Sequence, residues 1–205
     1  MNKEMSNKIH LLGVILAGGQ SRRLGGNDKF LITLGKRRII DHIVDRLGPQ
    51  VDKIILNANR LDLDIRLEVV PDILDYGGQA GPMIGLFSAL KYAKSHSYKK
   101  IVTVSADAPF IPDNFVERLM RHSSNSVVVA KSNGHVHSTH AVWDVSLLND
   151  LDKALKMGER KMMSWIKSQK AVEIEWSIDP DPFFNINTAE DLENAKKLAE
   201  RFKFL

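Results

Sequence analysis

Residues 11–29 read LLGVILAGGQSRRLGGNDK, an apolar run followed at once by a glycine-rich stretch. The run at 11–16 is short and rich in branched aliphatic residues, which predicts a buried β-strand. Residues 17–29 hold four glycines, two adjacent arginines and a lysine. Glycines after a strand can turn backbone N–H groups toward an anion. The stretch alone leaves two interpretations open, a phosphate-binding loop or an ordinary strand-to-helix turn.

Two common phosphate-binding motifs do not fit this stretch. The Walker A motif needs Lys and then Ser or Thr directly after its second glycine, whereas Gly25 is followed by Gly26 and Asn27. The dinucleotide fingerprint needs a Gly-x-Gly spacing, whereas Gly18 and Gly19 are adjacent. A phosphate bound here is therefore held by a different arrangement.

The composition is that of a globular protein. The chain has 205 residues, 43% hydrophobic and 26% charged, which predicts one domain over 1–205 with a flexible polar lead-in at 1–8. The net charge of +4 comes from 29 basic and 25 acidic residues scattered along the chain, so it does not indicate a nucleic-acid partner. The absence of cysteine excludes disulfides and thiolate chemistry and agrees with a cytoplasmic location. The first apolar run is too short to span a membrane, and we expect no membrane partner.

Short apolar runs alternate with segments of helical periodicity. Strands are predicted at 11–16, 53–57, 66–70, 100–105, 126–130 and 140–143, and helices at 38–47, at 83–93, after an Asp113 N-cap and after a Thr188 N-cap. This alternation predicts a three-layer α/β fold, with a mainly parallel sheet and helices on both faces. Such folds bind ligands beyond the carboxyl ends of the strands, so the candidates lie in 17–29, 57–60, 71–82, 105–112 and 185–187.

Two polar residues follow predicted strands directly. Asp107 comes after the strand at 100–105 and shortly before Pro109. One carboxylate is enough to begin a Mg²⁺ site that substrate phosphates complete, although Asp107 could also be a turn residue. Asn57 ends another strand, where its amide could recognise a nucleobase or ribose, or form an Asx-turn.

Two loops carry further candidates. Residues 70–82 hold Asp72, Asp75 and three glycines, which is long for a connector and could close over a base and ribose, or be a surface loop. Asn185 and Asn187 lie just before a predicted helix, where they could bind a metal or phosphate, or cap the helix.

The histidines at 135, 137 and 140 do not favour a metal site. The strand period places His135 and His137 on one face and His140 on the opposite face, and no acidic residue lies near them in sequence. The sequence also lacks a nucleophile elbow with a Ser-His-Asp set.

Together these motifs resemble the molybdenum cofactor guanylyltransferases, members of the nucleotidyltransferase superfamily with a Rossmann-like fold. The stretch LAGGQSRRLGGNDK at 16–29 is similar to the family signature LAGGxSxRMGxDK. The likeness continues at ILNANR (55–60), at 70–85, at SADAPFIP (105–112), at GERKMMSWI (158–166) and at FNINTAEDL (184–192). It covers almost the whole chain from about residue 10. His137 is followed by Ser138 where the family usually has His-Pro, which leaves a substrate role for His137 open.

The resemblance implies that GMP passes from GTP to the terminal phosphate of molybdopterin and that pyrophosphate leaves. It implies that Leu16, Ala17 and Gly18 lie against GTP, that Lys29 holds its phosphates, that Asn57 and Asp72 contact the nucleotide, and that Asp107 binds Mg²⁺ or, in its place, Mn²⁺. Asp75 could exchange roles with Asp72. From the residues themselves we add Gly19, Arg22, Arg23, Asn185 and Asn187, with Arg23, Lys29 and Asp107 as the catalytic groups that stabilise the transferred phosphoryl group.

We expect a monomer with transient contacts to other cofactor-biosynthesis proteins. Two alternative functions stay open. One is a different Mg²⁺-dependent nucleotidyltransferase, using CTP with molybdopterin or a sugar or alcohol phosphate as acceptor. The other is a non-catalytic nucleotide- or cofactor-binding protein. Gly18 favours guanine, because the cytidylyltransferases resemble LAAG rather than LAGG at this position.

Overall fold

The computed structural model describes residues 10–18, 28–76 and 81–201. In chain order its strands are β1 (Leu11–Leu16), β2 (Thr33–Leu34), β3 (Arg37–Arg38), β4 (Lys53–Asn57), β5 (Glu68–Val70), β6 (Lys100–Ser105), β7 (Val127–Ser132), β8 (His135–Asp144) and β9 (Val172–Trp176). Seven of them form one sheet in the order β5-β4-β1-β6-β8-β7-β9, and β2 pairs with β3 in a small ribbon. The predicted flexible lead-in at 1–8 lies outside the described residues.

The α-helices of the described ranges are α1 (Ile39–Leu47), α2 (Pro82–Ser95), α3 (Phe115–Met120), α4 (Leu148–Lys156), α5 (Met162–Ser168) and α6 (Ala189–Arg201). Helices α1, α3 and α6 pack on one face of the sheet, and α2, α4 and α5 on the other. Alternate residues of β1 point into these two cores, as the strand period requires. The predicted three-layer α/β fold is confirmed. Within the described parts, no helix has both the length and the apolar character needed to cross a bilayer.

The sheet is mainly parallel, as predicted. Pairings β1–β4, β1–β6, β4–β5 and β7–β9 are parallel, whereas β8 runs antiparallel to both β6 and β7. The reversal occurs at a hairpin between β7 and β8 whose two turn residues, Asn133 and Gly134, have φ of 49° and 77°. Positive φ at both positions gives a turn whose twist matches that of paired strands, and Asn-Gly is the dipeptide that best tolerates it.

A large bulge interrupts β8. Val129 of β7 is level with Ala141, and the next residue of β7, Ala130, is level with His137, so residues 138–140 are additional on β8. The bulge breaks the period of two, and the rings of His137 and His140 lie 6.0 Å apart between centroids. The prediction that these two histidines lie on opposite faces was wrong for this reason.

The two predicted helix caps have different outcomes. Thr188 caps α6 as predicted, since its Oγ1 accepts from the Asp191 N–H at 3.1 Å while the Asp191 carboxylate accepts from the Thr188 N–H at 2.8 Å. The predicted Asp113 cap was wrong. Helix α3 follows Asn114 without a side-chain cap, and the Asp113 carboxylate instead accepts from Arg46 at 2.8 Å.

We expect Thr103→Val to lower the free energy of unfolding by about 1–3 kcal/mol. Thr103 is fully buried in β6, and its Oγ1 accepts from the indole N–H of buried Trp143 at 2.8 Å. Valine keeps the shape but leaves the indole N–H without an acceptor. Urea denaturation measures the change. In a Trp143→Phe background the same substitution should cost much less, and an equal cost in both backgrounds would contradict the hydrogen-bond explanation.

Candidate functional site

A cleft of about 210 Å³ opens where the carboxyl ends of β4, β1 and β6 meet. Its lining residues are Leu16, Ala17, Gly18, Lys29, Phe30, Asn57, Pro82, Ser105, Ala106, Asp107, Thr139 and Asn187. Seven of the predicted site residues are among them, namely Leu16, Ala17, Gly18, Lys29, Asn57, Asp107 and Asn187. Asn185 is exposed and does not line this cleft. The candidates Gly19, Arg22 and Arg23 lie outside the described residues.

Asp107 is a half-buried carboxylate at the end of β6. Its Oδ1 accepts from the Ser105 hydroxyl at 2.6 Å, and its backbone oxygen accepts from the Ile186 N–H at 2.9 Å. Burial raises the pKa of Asp107, while the Ser105 hydrogen bond and the positive charge of Lys29 act in the opposite direction. The carboxylate is therefore fixed in place and is stabilised by any further cation in the cleft.

Lys29 lines the same cleft as Asp107, and its positive charge opposes the rise in the pKa of that carboxyl. Its ammonium group donates to the Asn187 side-chain oxygen at 2.8 Å, a contact between residues 158 positions apart. Asn187 is held in turn, because its backbone N–H donates to the Asp191 carboxylate at 2.9 Å. The chain thus presents a positioned cation and a positioned anion in one cleft.

Asn57 is fully buried at the end of β4. Its amide nitrogen donates to the Val70 carbonyl and to the Asp72 carboxylate, both at 3.0 Å. Its Oδ1 is buried and, among the described residues, has no hydrogen-bond partner. A Cβ built on Gly18 would lie 3.7 Å from this oxygen and 3.6 Å from Asp72 Oδ2, so both groups border the glycine at the end of β1. An unpaired buried acceptor beside an open cleft is the arrangement expected of a ligand contact.

Asp72, not Asp75, is built into this arrangement. The Asp72 carboxylate also accepts from the Asn59 amide at 2.8 Å, and the Asp72 N–H donates back to Asn59 Oδ1 at 2.8 Å. Asp75 is exposed. Sequence reasoning missed Asn59, although its position two residues after Asn57 in a loop beyond a strand is a signal that could have found it.

The donor set suits a divalent cation that binds together with a phosphate. In the described ranges no group of three His, Asp or Glu side chains could enclose a metal ion. Asp107 supplies one carboxylate, and the cleft around it is open. Mg²⁺ prefers one or two carboxylates, several waters and substrate phosphate oxygens, so one aspartate in an open cleft fits such an ion.

We expect Gly85→Ala to lower the free energy of unfolding by about 1–3 kcal/mol, although alanine is the better helix former. Gly85 lies in α2, and a Cβ there would lie 2.2 Å from Asn57 Oδ1. Asn57 cannot retreat without losing its bonds to Val70 and Asp72. Chemical denaturation measures the loss. As a control we expect Gly48→Ala to be neutral, because its Cβ would meet only an Ile54 methyl at 3.9 Å. A stable Gly85→Ala variant would contradict this close packing.

Comparisons with known proteins identify the family. The family model of the MobA-like NTP transferase domain matches residues 13–172. A molybdenum cofactor guanylyltransferase of Bradyrhizobium sp. (strain ORS 278) is 38% identical over 197 residues, covering 91% of this chain and 92% of the relative.

Solved structures share the fold. Molybdopterin-guanine dinucleotide biosynthesis protein A of Archaeoglobus fulgidus gives a TM-score of 0.75 at 21% identity, covering 93% of this chain and 99% of that one. Rv0371C of Mycobacterium tuberculosis, in a complex with manganese, gives 0.63 at 18% identity, covering 92% and 98%. The fold is therefore the Rossmann-like nucleotidyltransferase fold. From the family match over most of its length, this chain belongs to the MobA-like NTP transferase family and is a nucleotidyltransferase.

Proposed function

We propose that the enzyme transfers GMP from GTP to the terminal phosphate of molybdopterin, releasing pyrophosphate and forming the guanine dinucleotide cofactor. One observation carries the proposal. Asn57, whose side-chain oxygen is buried and has no partner among the described residues, lines one cleft together with Gly18, Lys29 and Asp107. The name of the Bradyrhizobium relative supports the same activity.

Asn57 and Asp72 are the proposed contacts of the nucleotide base. Guanine carries two neighbouring N–H donors, at N1 and at N2, and both need acceptors when water is excluded. The Asn57 oxygen is an acceptor that folding has already removed from water. A hydrogen bond from guanine would replace the water partner that it lost. Gly18 lets the base approach closely, since any side chain there would point toward Asn57 and Asp72.

The charged side chains of the cleft are the proposed contacts of the GTP phosphates and of the metal ion. The nucleophile is already an anionic phosphate, so the reaction asks the protein for position and charge neutralisation rather than for a general base. Lys29, held by Asn187, would neutralise the phosphates of GTP. Asp107 would hold a divalent cation, Mg²⁺ or Mn²⁺, and when bound that ion neutralises charge on the α-phosphate and on pyrophosphate. Gly19, Arg22, Arg23 and Asn185 stay proposed contacts.

We also propose one domain over 1–205, a monomer and a cytoplasmic location. The one seven-stranded sheet, covered by a hydrophobic core on each face, supports the single domain. The alternative functions, transfer from another nucleotide or to another acceptor, are distinguished by the nucleotide-selectivity assay described next.

We expect kcat/KM to be at least tenfold higher with GTP than with CTP or ATP when molybdopterin is the acceptor, because the two guanine donors match the acceptors at Asn57 and Asp72. Pyrophosphate release gives the rates, and mass spectrometry of the dinucleotide identifies the product. A preference for CTP would overturn the guanine assignment. Binding of GTP without turnover on any acceptor would favour a nucleotide-binding protein.

We expect Asp107→Asn to lower pyrophosphate release more than 100-fold without lowering stability at pH 7, because the divalent cation loses its carboxylate ligand. Burial raises the pKa of Asp107, so the folded state holds its proton more tightly than the unfolded chain does, and the charged form weakens folding as pH rises. Asparagine removes that penalty.

Activity and urea denaturation, both at pH 7, measure the two effects on the same preparation. The control is Asp113→Asn, an aspartate whose side chain is 87% exposed and lies outside the cleft, which should keep full activity. Full activity of Asp107→Asn would remove Asp107 from the metal role.

A further inference from the structure

Thr139 lies in the bulge of β8 and lines the cleft. The regular pairing of β6 with β8 ends at Thr103 and Ala141, next to the bulge on β8 and two residues before Ser105 on β6. Thr139 was not among the predicted site residues, yet it lines the cleft together with Asp107 and Asn187. Among the residues named above as lining the cleft, Thr139 is the one that comes from β8.

The neighbouring His140 is buried and its ring orientation is set by the backbone. Its Nε2 lies 3.5 Å from the Ser105 nitrogen, which donates to it, in the place where the bulge removes the regular strand partner. An atom that accepts an N–H must carry a lone pair, so the ring proton is on Nδ1. Burial lowers the pKa of His140 to about 3, with a smaller effect from His137, which agrees with a neutral ring.

This tautomer determines whether the Thr139 hydroxyl accepts or donates its hydrogen bond with His140. His140 Nδ1 lies 3.3 Å from Thr139 Oγ1, and with its proton on Nδ1 the histidine is the donor. Thr139 Oγ1 accepts this bond, and its own proton is left to donate elsewhere. Since the residue lines the cleft, a group bound in the cleft is the acceptor available to that proton.

Thr139 lies on the opposite side of Asp107 from Asn57. The sheet order β4-β1-β6-β8 arranges Asn57, Gly18, Asp107 and Thr139 in that sequence across the edge of the sheet. Asn57 and Thr139 are three strand spacings apart, roughly 14 Å. With guanine at Asn57 and the α-phosphate near Asp107, the position beside Thr139 is where a second substrate can approach.

We propose that the Thr139 hydroxyl donates a hydrogen bond to the terminal phosphate of the acceptor and orients it toward the α-phosphorus, an inference that rests on the proposed function. An oxygen of the acceptor phosphate forms the new bond to the α-phosphorus, and the bond to the β-phosphate breaks, so that pyrophosphate leaves with its electron pair. Thr139 keeps its proton throughout and acts as a binding residue, while His140 fixes the direction of the hydroxyl.

The test is steady-state kinetics of Thr139→Val and Thr139→Ser, with GTP and molybdopterin varied separately. We expect Thr139→Val to lower kcat/KM for molybdopterin at least tenfold and to leave the KM for GTP within about twofold, as loss of one hydrogen bond to a charged group requires. Thr139→Ser keeps the hydroxyl and should stay within about threefold of wild type. Thr33→Val, the same exchange at an exposed site in β2, should change neither constant.

Three other outcomes would contradict the role of Thr139 or the proposed function. Wild-type activity with an unchanged molybdopterin kcat/KM in Thr139→Val overturns the role of Thr139. A change confined to the KM for GTP does so as well, because it assigns the hydroxyl to the nucleotide side. A wild-type enzyme that transfers no GMP to molybdopterin overturns the proposed function, and this inference with it. Thermal melting monitors folding, and if Thr139→Val unfolds, Thr139→Ala is measured with the same expectations.

Discussion

The register of β1 between β4 and β6 determines where the groups of the cleft lie. Leu16 is level with Asn57 on one side and with Ser105 on the other, in two parallel pairings. The alignment extends one residue further, since the Ala17 N–H donates to the Asn57 carbonyl at 2.9 Å and the Ala106 N–H donates to the Leu16 carbonyl at 3.1 Å. Three chain segments therefore leave the sheet at the same edge, and Asn57, Gly18 and Asp107 line one cleft there.

The cleft concentrates features that weaken folding. The unpaired oxygen of Asn57, the burial of the Asp107 carboxylate and the bulge in β8 all lie within it or beside it. Two hydrophobic cores cover the described sheet, and the other buried polar atom without a partner there, the indole nitrogen of Trp176 in β9, lies outside the cleft. Departures from local rules that cluster at one place in a regular fold are typical of a functional site, where bound ligand supplies the missing partners.

Sequence reasoning found the parts of the site that depend on local patterns. The strands β1, β4 and β6 have the predicted bounds, because each is a short apolar run between turn residues. Asn57 and Asp107 were identifiable because each lies at or just beyond the end of such a strand. The Asn-Gly pair at 133–134 is a sequence signal for a β-hairpin, and no hairpin was predicted there. Helices α4 and α5 and strand β9 were not predicted either.

The remaining contacts depend on pairings between distant segments. Thr139 is one of the three additional residues that β8 carries opposite β7, a property of the pairing and not of β8 alone. Lys29 and Asn187 meet across most of the chain, and nothing local to either residue indicates the other. Helix α3 begins after Asn114 rather than after Asp113, and the Asp113 carboxylate accepts from Arg46 of a separate helix.

The central claim is that the nucleotide spans the ends of β4, β1 and β6, with guanine at Asn57 and the metal at Asp107. A crystal structure with GTP and Mn²⁺ tests it most directly, since anomalous scattering locates the ion independently of the nucleotide. The expected result is an Mn²⁺ peak in direct contact with the Asp107 carboxylate and a guanine N–H within hydrogen-bond distance of Asn57 Oδ1. An ion remote from Asp107, or a base bound on the β8 side, would contradict the account.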